Sequence, residues 1–437
     1  MKKAALHNLG CKVNAYETEA MQEMLEKAGY EIVPFQEGAD VYIINTCTVT
    51  NIADRKSRQM LHRARKMNPD AIVVAAGCYV QAQEGKQETD PCIDIVIGNN
   101  HKKDLVRILE EYEQKKGQGK DGEDALRDIE DISRTREYED LHLGKPGDHT
   151  RAYIKVQDGC NQFCTYCIIP YARGRVRSRS MDDVVREVED LAENGYKEVV
   201  LTGIHLSSYG IDFDGERHLL PLIRAVHAVD GIERIRLGSL EPNIITEEFA
   251  REISRMPKMC PHFHLSLQSG CDATLKRMNR RYTSAEYYEK CCILRKYFEN
   301  PALTTDVIVG FPGETQEEFE ESLAFVDRVN FYETHIFKYS RREGTKAAVM
   351  PDQIDEKVKA QRSARMIALG EQKQRAYEQS FIGKEVEVLI EEDALIDGKM
   401  MQTGHTKEYM KIALEKKENL KNCVIKVQID SDLQIIH

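Results

Sequence analysis

Between residues 150 and 350, six strand-like apolar runs (152–157, 198–202, 234–238, 263–267, 303–309 and 334–339) alternate with helical stretches such as 181–194, 284–298 and 315–329. A strand followed by a helix and a further strand pairs in parallel, because the helix carries the chain back. The region is therefore α/β. Eight such units close a barrel; six predict an open (βα)6 partial TIM barrel. Upstream, runs at 3–9, 41–45, 71–76 and 93–98 alternate with helices at 14–28 and 51–67, which predicts a second, N-terminal parallel α/β domain. Downstream, a long helix at 354–379 leads into β-rich runs at 384–391, 408–414 and 423–429, the pattern of a small antiparallel β-barrel of OB-like type. These patterns divide the chain into domains 1–112, 146–376 and 377–437. The polar, charged segment 113–145 is expected as a linker or mobile arm.

No run of the 437 residues is apolar and long enough to span a bilayer, and no apolar stretch follows Lys2 and Lys3 as in a signal peptide. A cytoplasmic location is expected, with no membrane partner. In that reducing compartment twelve cysteines argue against a disulfide framework and for metal or cluster ligation. The net charge of −11 argues against a nucleic-acid partner, but residues 110–140 hold twelve acidic and six basic side chains, so −6 of it sits in one segment.

Cys160, Cys164 and Cys167 are spaced C-x3-C-x2-C in the loop after the first strand of the central region. Thiolates hold iron–sulfur clusters, and a cubane cluster has four ligand positions. Three cysteines leave one iron open to a cofactor. A zinc knuckle or three unrelated core cysteines are the alternatives, though no paired CxxC accompanies the loop. Cys11, Cys47 and Cys78 each follow a predicted strand of the first domain. The carboxyl ends of strands in an open α/β sheet line its ligand crevice, so these three are expected to converge and again leave an iron open. Their alternative is a role as small buried hydrophobes. Cys92 is the rival to Cys78; Cys260, Cys271, Cys291, Cys292 and Cys423 read as structural.

The Cys160–Cys167 loop resembles that of the radical S-adenosylmethionine (SAM) superfamily. The resemblance implies that SAM chelates the open iron and is cleaved on reduction to a 5′-deoxyadenosyl radical. Tyr166 matches the aromatic residue packed near adenine in that superfamily, with simple loop packing as the alternative. Nearly the whole chain is similar to the radical SAM methylthiotransferases. The stretches that carry this are the three N-terminal cysteine motifs, Cys-Thr-Tyr-Cys-Ile-Ile-Pro-Tyr-Ala-Arg-Gly-Arg (164–175), His-Leu-Ser-Leu-Gln-Ser-Gly (264–270) and Thr-Asp-Val-Ile-Val-Gly-Phe-Pro-Gly-Glu-Thr (305–315). The resemblance implies two 4Fe–4S clusters, SAM, and a C-terminal TRAM domain. Gly-Cys-Lys-Val-Asn (10–14) and Asn-Thr-Cys-Thr-Val-Thr (45–50) look like the branch acting on N6-threonylcarbamoyladenosine. The isopentenyladenosine branch usually reads GCQMN and NTCSVR there, and the ribosomal-protein branch places Gly-Phe after its second cysteine. Tyr-Ser-Arg-Arg-Glu-Gly-Thr (339–345) also departs from the YSPRPGT of the isopentenyladenosine branch.

These likenesses imply an enzyme that methylthiolates threonylcarbamoyladenosine at position 37, in the anticodon loop of tRNA. It would act as a monomer served by an external electron donor and a sulfur source. The alternatives are the same chemistry on isopentenyladenosine or a ribosomal aspartate, and a non-enzymatic iron–sulfur RNA-binding protein. Gly203, Ser239, Glu241, Ser266, Gln268, Gly310 and Gly313 follow the barrel strands, where barrel chemistry collects, and are candidate SAM contacts. For each glycine an ordinary turn is the alternative. Arg173, Arg175, Arg177 and Arg179 alternate and would share one face of an extended segment. Arg55, Lys56, Arg58, Arg63, Arg65 and Lys66 crowd one helix. Both sets are either phosphate contacts or solvated basic faces.

Overall fold

The computed structural model describes residues 1–83, 90–118, 125–144, 150–416, 418–431 and 434–436. Strands β1 (Lys3–Asn8), β2 (Glu31–Ile32), β3 (Val41–Thr46), β4 (Ile72–Gly77), β5 (Ile95–Ile97) and β6 (Leu126–Asp128) form a parallel sheet in the order β2-β1-β3-β4-β5-β6. Every residue of β3 and β4 is buried, as expected where helices cover both faces. Helices α1 (Lys12–Lys27) and α4 (Leu105–Gly117) cover one face; α2 (Asn51–Met67) covers the other. A single turn, α3 (Cys78–Gln81), follows β4.

Segment 113–145 is not a free arm where it is described. It supplies β6, and its Leu141 and Leu143 are buried against Tyr16 and Ala20 of α1. Its few apolar residues are too widely spaced to register as periodicity. Residues 119–124 and 145–149 lie outside the described residues.

The central region contains six parallel strands: β7 (Arg151–Asp158), β9 (Glu198–Gly203), β10 (Arg234–Leu237), β11 (His262–His264), β12 (Ala302–Val309) and β13 (Glu333–Lys338). Isolated bridges Ile235–Met259 and Leu240–Leu265 join the β7-β9-β10 and β11-β12-β13 sheets into one open, curled wall. A two-residue strand, β8 (Arg177–Ser178), pairs antiparallel to β7. Helix α5 (Ile169–Arg173) precedes β8 and α6 (Met181–Glu193) follows it. Ile154 and Val156 pack outward into the main core with Val184 and Val188 of α6. Alternation along the strand therefore turns Tyr153 and Lys155 toward the concave face. No helix among the described residues is long and apolar enough to cross a membrane.

The last four strands, β14 (Glu385–Ile396), β15 (Lys399–Thr406), β16 (Lys411–Glu415) and β17 (Val424–Gln428), form an antiparallel sheet, and a bridge from Ile412 to Ile435 brings the chain back to β16. Strand β15 was not expected. Its signal is Asp397-Gly398, both at positive φ (49° and 77°), the two-residue turn that favours hairpins. This sheet docks on the starting ends of the barrel strands. Arg234 donates to the carbonyls of His405 (2.8 Å) and Glu387 (2.9 Å), and Tyr409 stacks on His262 (5.1 Å).

Two arginines tie the N-terminal domain to the barrel. Arg342, within the 339–345 motif, donates to Thr48 (2.7 Å), Asn51 (2.6 Å) and Asp54 (2.7 Å) in the loop and helix after Cys47. Arg173, at the end of α5, pairs with Glu17 of α1 (2.5 and 3.0 Å) and Asp158 of β7 (3.1 Å). All three side chains are buried. Lys155 joins both carboxylates (2.8 and 2.7 Å), and Lys102 reaches Glu17 (3.2 Å). Burial alone would raise the Glu17 carboxyl, but Arg173, Lys102 and Lys155 hold it well below the usual carboxylate range.

Removing Arg173 takes away the buried guanidinium that Glu17 and Asp158 share. Arg173→Met is expected to cost about 3–5 kcal/mol in urea denaturation; a loss under about 1 kcal/mol would show that the contact is not structural. A depressed carboxyl stabilises the fold above its unfolded value, so the contribution of Glu17 is complete at neutral pH and lost as pH falls below about 4. The variant should therefore lose stability less steeply in acid than the parent.

Candidate functional site

Both cysteine triplets sit at the carboxyl ends of parallel strands, and glycines let the chain pack there. Cys11 caps α1 after β1, Cys47 follows β3, and Cys78 opens α3 after β4. Gly10 (φ 106°) lies so close to Cys47 that a Cβ would sit 2.9 Å from its Sγ. Asn14 ties the strand ends together, donating to the carbonyls of Leu9 (2.7 Å) and Thr46 (3.0 Å). The three thiols are close enough to act on one another: Cys11 and Cys78 both add to the rise of Cys47, which burial pushes up to about 11. Cys11 keeps accessible surface yet carries the desolvation of an enclosed group, as a residue facing an interior cleft does. Cys92 precedes β5, so in a parallel sheet it lies at the opposite end from Cys78.

The second triplet occupies the loop after β7. Gly159 (φ 71°) is obligatory, because a Cβ there would lie 1.8 Å from the Arg175 carbonyl oxygen. The loop passes through a left-handed Phe163 (φ 51°) and is pinned by Thr165, whose N–H and hydroxyl donate to the carbonyls of Met278 (3.1 Å) and Arg277 (2.9 Å). Burial pushes the Cys160 and Cys167 thiols up to about 12, and Cys164 adds to both. Such thiols hold their protons at neutral pH unless a metal displaces them.

Arg280, which has no motif to announce it, gathers the candidate cofactor residues. It donates to Cys164 Sγ (3.2 Å), Glu241 (2.5 Å) and the Ser266 carbonyl (3.4 Å), and its guanidinium lies over Tyr282. Burial would raise Glu241, but Arg280 and His205 hold it below the ordinary value. Tyr166 packs edge-on against Phe311 (6.4 Å). Gly203 ends β9 against Gln157, Ser239 is exposed, and Gln268 adopts a left-handed conformation (φ 70°). Gly310 (φ 72°) donates its N–H to Glu314 (2.9 Å), and a Cβ there would meet Lys359 at 2.3 Å; Gly313 has φ 75°.

The alternating arginines are not an RNA face. Arg173 belongs to α5, Gly174 (φ 70°) breaks the run, and Arg177 and Arg179 are buried against Asp158 and Glu187. Only Arg175 is exposed, with its guanidinium over Phe163 (4.6 Å). Arg173 instead joins the triplets: its Nε donates to Cys78 Sγ (3.1 Å), while it also holds Asp158, two residues before Cys160. On α2, Arg65 is tied to Asp94, whereas Arg55, Lys56, Arg58, Arg63 and Lys66 are exposed. Lys12 was also missed. Its side chain keeps accessible surface, as Cys11 does, yet the protein around it, then Arg236 and Arg151, bring its ammonium down to about 8.

Residues 154–326 match the radical SAM superfamily and residues 3–98 the uncharacterized protein family UPF0004. The chain is 41% identical over 430 residues (98% of this chain, 94% of the relative) to threonylcarbamoyladenosine tRNA methylthiotransferase MtaB of Bacillus subtilis. It is 40% identical over 395 residues (90% and 94%) to the Aquifex aeolicus protein of that name. It is 36% identical over 428 residues (96% and 94%) to a tRNA-2-methylthio-N(6)-dimethylallyladenosine synthase of Moorella thermoacetica. The radical SAM methyltransferase TsrM of Kitasatospora setae shares the fold, with TM-score 0.57 and 16% identity, covering 80% of this chain and 77% of that one.

Gly159→Ala should destabilise the protein by more than the roughly 1 kcal/mol that a left-handed conformation costs an ordinary residue. Gly38→Ala is the control, since Gly38 has φ 104° and nothing within 4 Å of its would-be Cβ. Equal losses in urea denaturation would mean that the close approach at Gly159 is not a constraint.

Proposed function

The chain belongs to the radical SAM methylthiotransferases, and from that premise we infer that it converts N6-threonylcarbamoyladenosine at position 37 of tRNA to its 2-methylthio derivative. The observation that carries the reading is the joining of two cysteine triplets through one buried guanidinium, with Arg173 touching Cys78 Sγ and the strand end that leads into Cys160. Adenine C2–H is unactivated, so acid–base side chains alone cannot exchange it for sulfur. A SAM-binding 4Fe–4S cluster, when bound, supplies the radical chemistry that the side chains lack.

We assign that cluster to Cys160, Cys164 and Cys167. The donor set fits: three enclosed thiols on one loop, an Arg280 N–H at Cys164 Sγ, and a Gln162 N–H at Cys160 Sγ (3.5 Å). Tyr166, Gly203, Ser239, Glu241, Ser266, Gln268, Gly310 and Gly313 are assigned to SAM. Within this set Glu241, oriented by Arg280, is a carboxylate suited to an ammonium. A second 4Fe–4S cluster is assigned to Cys11, Cys47 and Cys78, and the Arg173 guanidinium at Cys78 supports an anionic occupant. Residues 1–112, 146–376 and 377–437 then act as cluster domain, radical SAM core and RNA-binding TRAM domain. The exposed basic face of α2, directly after Cys47, would lie along tRNA phosphates. The reading places the enzyme in the cytoplasm, as a monomer served by an external electron donor and sulfur source.

Mass spectrometry of tRNA nucleosides should find 2-methylthio-N6-threonylcarbamoyladenosine in the parent strain and only its unthiolated precursor in a deletion strain. Loss of the isopentenyladenosine product instead would overturn the substrate. Cys164→Ala should abolish both 5′-deoxyadenosine and product formation; Cys47→Ala should abolish product alone. Product from Cys47→Ala would remove the N-terminal triplet from the chemistry. Arg55, Arg58 and Arg63 changed together to Gln should weaken tRNA binding and flatten its salt dependence by up to about three phosphate contacts. An unchanged salt slope would make α2 a solvated face.

A further inference from the structure

N6-Threonylcarbamoyladenosine carries a free threonine carboxylate, ionised at neutral pH. It hangs from N6, and N6 and C2 flank the same edge of the base. Any site that reaches C2 must take this anion in beside the reacting carbon, and an anion withdrawn from water needs a cation.

The cations around the two triplets, and those at the strand starts of the barrel that Lys12 faces (Arg151, Arg236), are mostly committed. Arg173 holds Glu17 and Asp158, Arg280 holds Glu241, Arg342 holds Asp54, and Arg236 holds Glu198 (2.8 Å). Arg151 lies between Glu391 (3.6 Å) and Glu198 (4.0 Å). Lys12 differs. It opens α1 immediately after Cys11, and its Nζ sits 6.0 Å from the ring centre of Tyr153 on the concave face of the barrel. Among the described residues no carboxylate lies within 4.0 Å of it. The acidic groups in its electrostatic reach, Glu198 and Glu333, face Arg236 and His335 (3.8 Å) instead. Among the described residues Lys12 is thus an ammonium without a carboxylate partner, next to a cysteine of the N-terminal triplet and turned toward the barrel.

We infer that Lys12 receives the threonyl carboxylate of the substrate and so selects this nucleoside over those with a neutral N6 substituent. The inference rests on the substrate reading above. The carboxylate completes the ion pair that the protein leaves open, and Tyr153 forms the adjoining wall. Pairing at this point also fixes the base rotationally, because the carboxylate and C2 lie on one edge and Lys12 and Cys11 are consecutive.

The test uses the holoenzyme and two synthetic anticodon stem-loops, one carrying threonylcarbamoyladenosine and one its threonine methyl ester. Lys12→Gln should lower kcat/KM on the acid on the order of 30-fold, mainly through KM, as expected for a lost hydrogen bond to a charged group. The parent should lose a similar factor on going from acid to ester, and parent and Lys12→Gln should match each other on the ester. Lys12→Arg should recover most of the acid's rate. Iron content, measured for every variant, controls for folding. Full activity of Lys12→Gln on the acid, or equal losses on acid and ester, would overturn the proposal. A parent enzyme that modifies neither stem-loop but acts on an isopentenyl one would instead sink the substrate reading itself.

Discussion

The guanidinium of Arg173 holds the two halves of the site in one place. It reaches from the loop segment behind the barrel triplet into the N-terminal domain, where it meets Glu17, Asn14 and Cys78. Around it four buried cations (Arg173, Arg177, Lys155, Lys102) face three buried carboxylates (Glu17, Asp158, Glu139), leaving a surplus of one positive charge. Burying ions is costly, and apolar packing could join two domains as well. What apolar packing cannot do is supply charge to thiolates, which a cation at Cys78 does. Arg342 makes the second attachment, from the loop after β13. The N-terminal domain is thereby anchored near both β7 and β13, the first and last strands of the open barrel wall.

The C-terminal sheet completes the enclosure from the opposite end. Tyr409 lies under the guanidiniums of Arg236 (4.6 Å) and Arg151 (5.1 Å) at the strand starts. Enclosure by the surrounding protein is the leading influence on Cys11, Cys47, Cys160, Cys167 and Lys12 alike, although Cys11 and Lys12 keep accessible surface. Low solvation raises the cost of unpaired charge and strengthens each pair that forms. A cleft of this kind suits a reaction whose intermediates must be kept from water.

Much of this was legible in the sequence because it is local. Strand and helix periodicities mark both α/β regions, and α2 runs from Asn51 to Met67 as the pattern predicts. The cysteines could be sorted by their place after strands. What could not be read is non-local. The partners of Arg173 lie up to 159 residues away, so the arginine run looked like an extended basic ribbon. Arg280 sits in an unremarkable loop and gains its role only because β11 and the loop after β7 bring Ser266 and Cys164 to it. Segment 113–145 looked like a tether because its composition is charged, yet its described part packs on the fold through β6, Ile132, Leu141 and Leu143 and a bond from the Tyr138 hydroxyl to the Lys155 carbonyl (2.6 Å).

The central claim is that the chain holds two separate triplets, each able to carry a four-iron cluster. Anaerobic reconstitution followed by iron and sulfide determination tests it most directly. The comparison needs the parent, a Cys11/Cys47/Cys78→Ala variant and a Cys160/Cys164/Cys167→Ala variant. The account predicts about eight irons for the parent and about four for each variant. A parent that saturates near four, or an N-terminal variant that still binds eight, would contradict it.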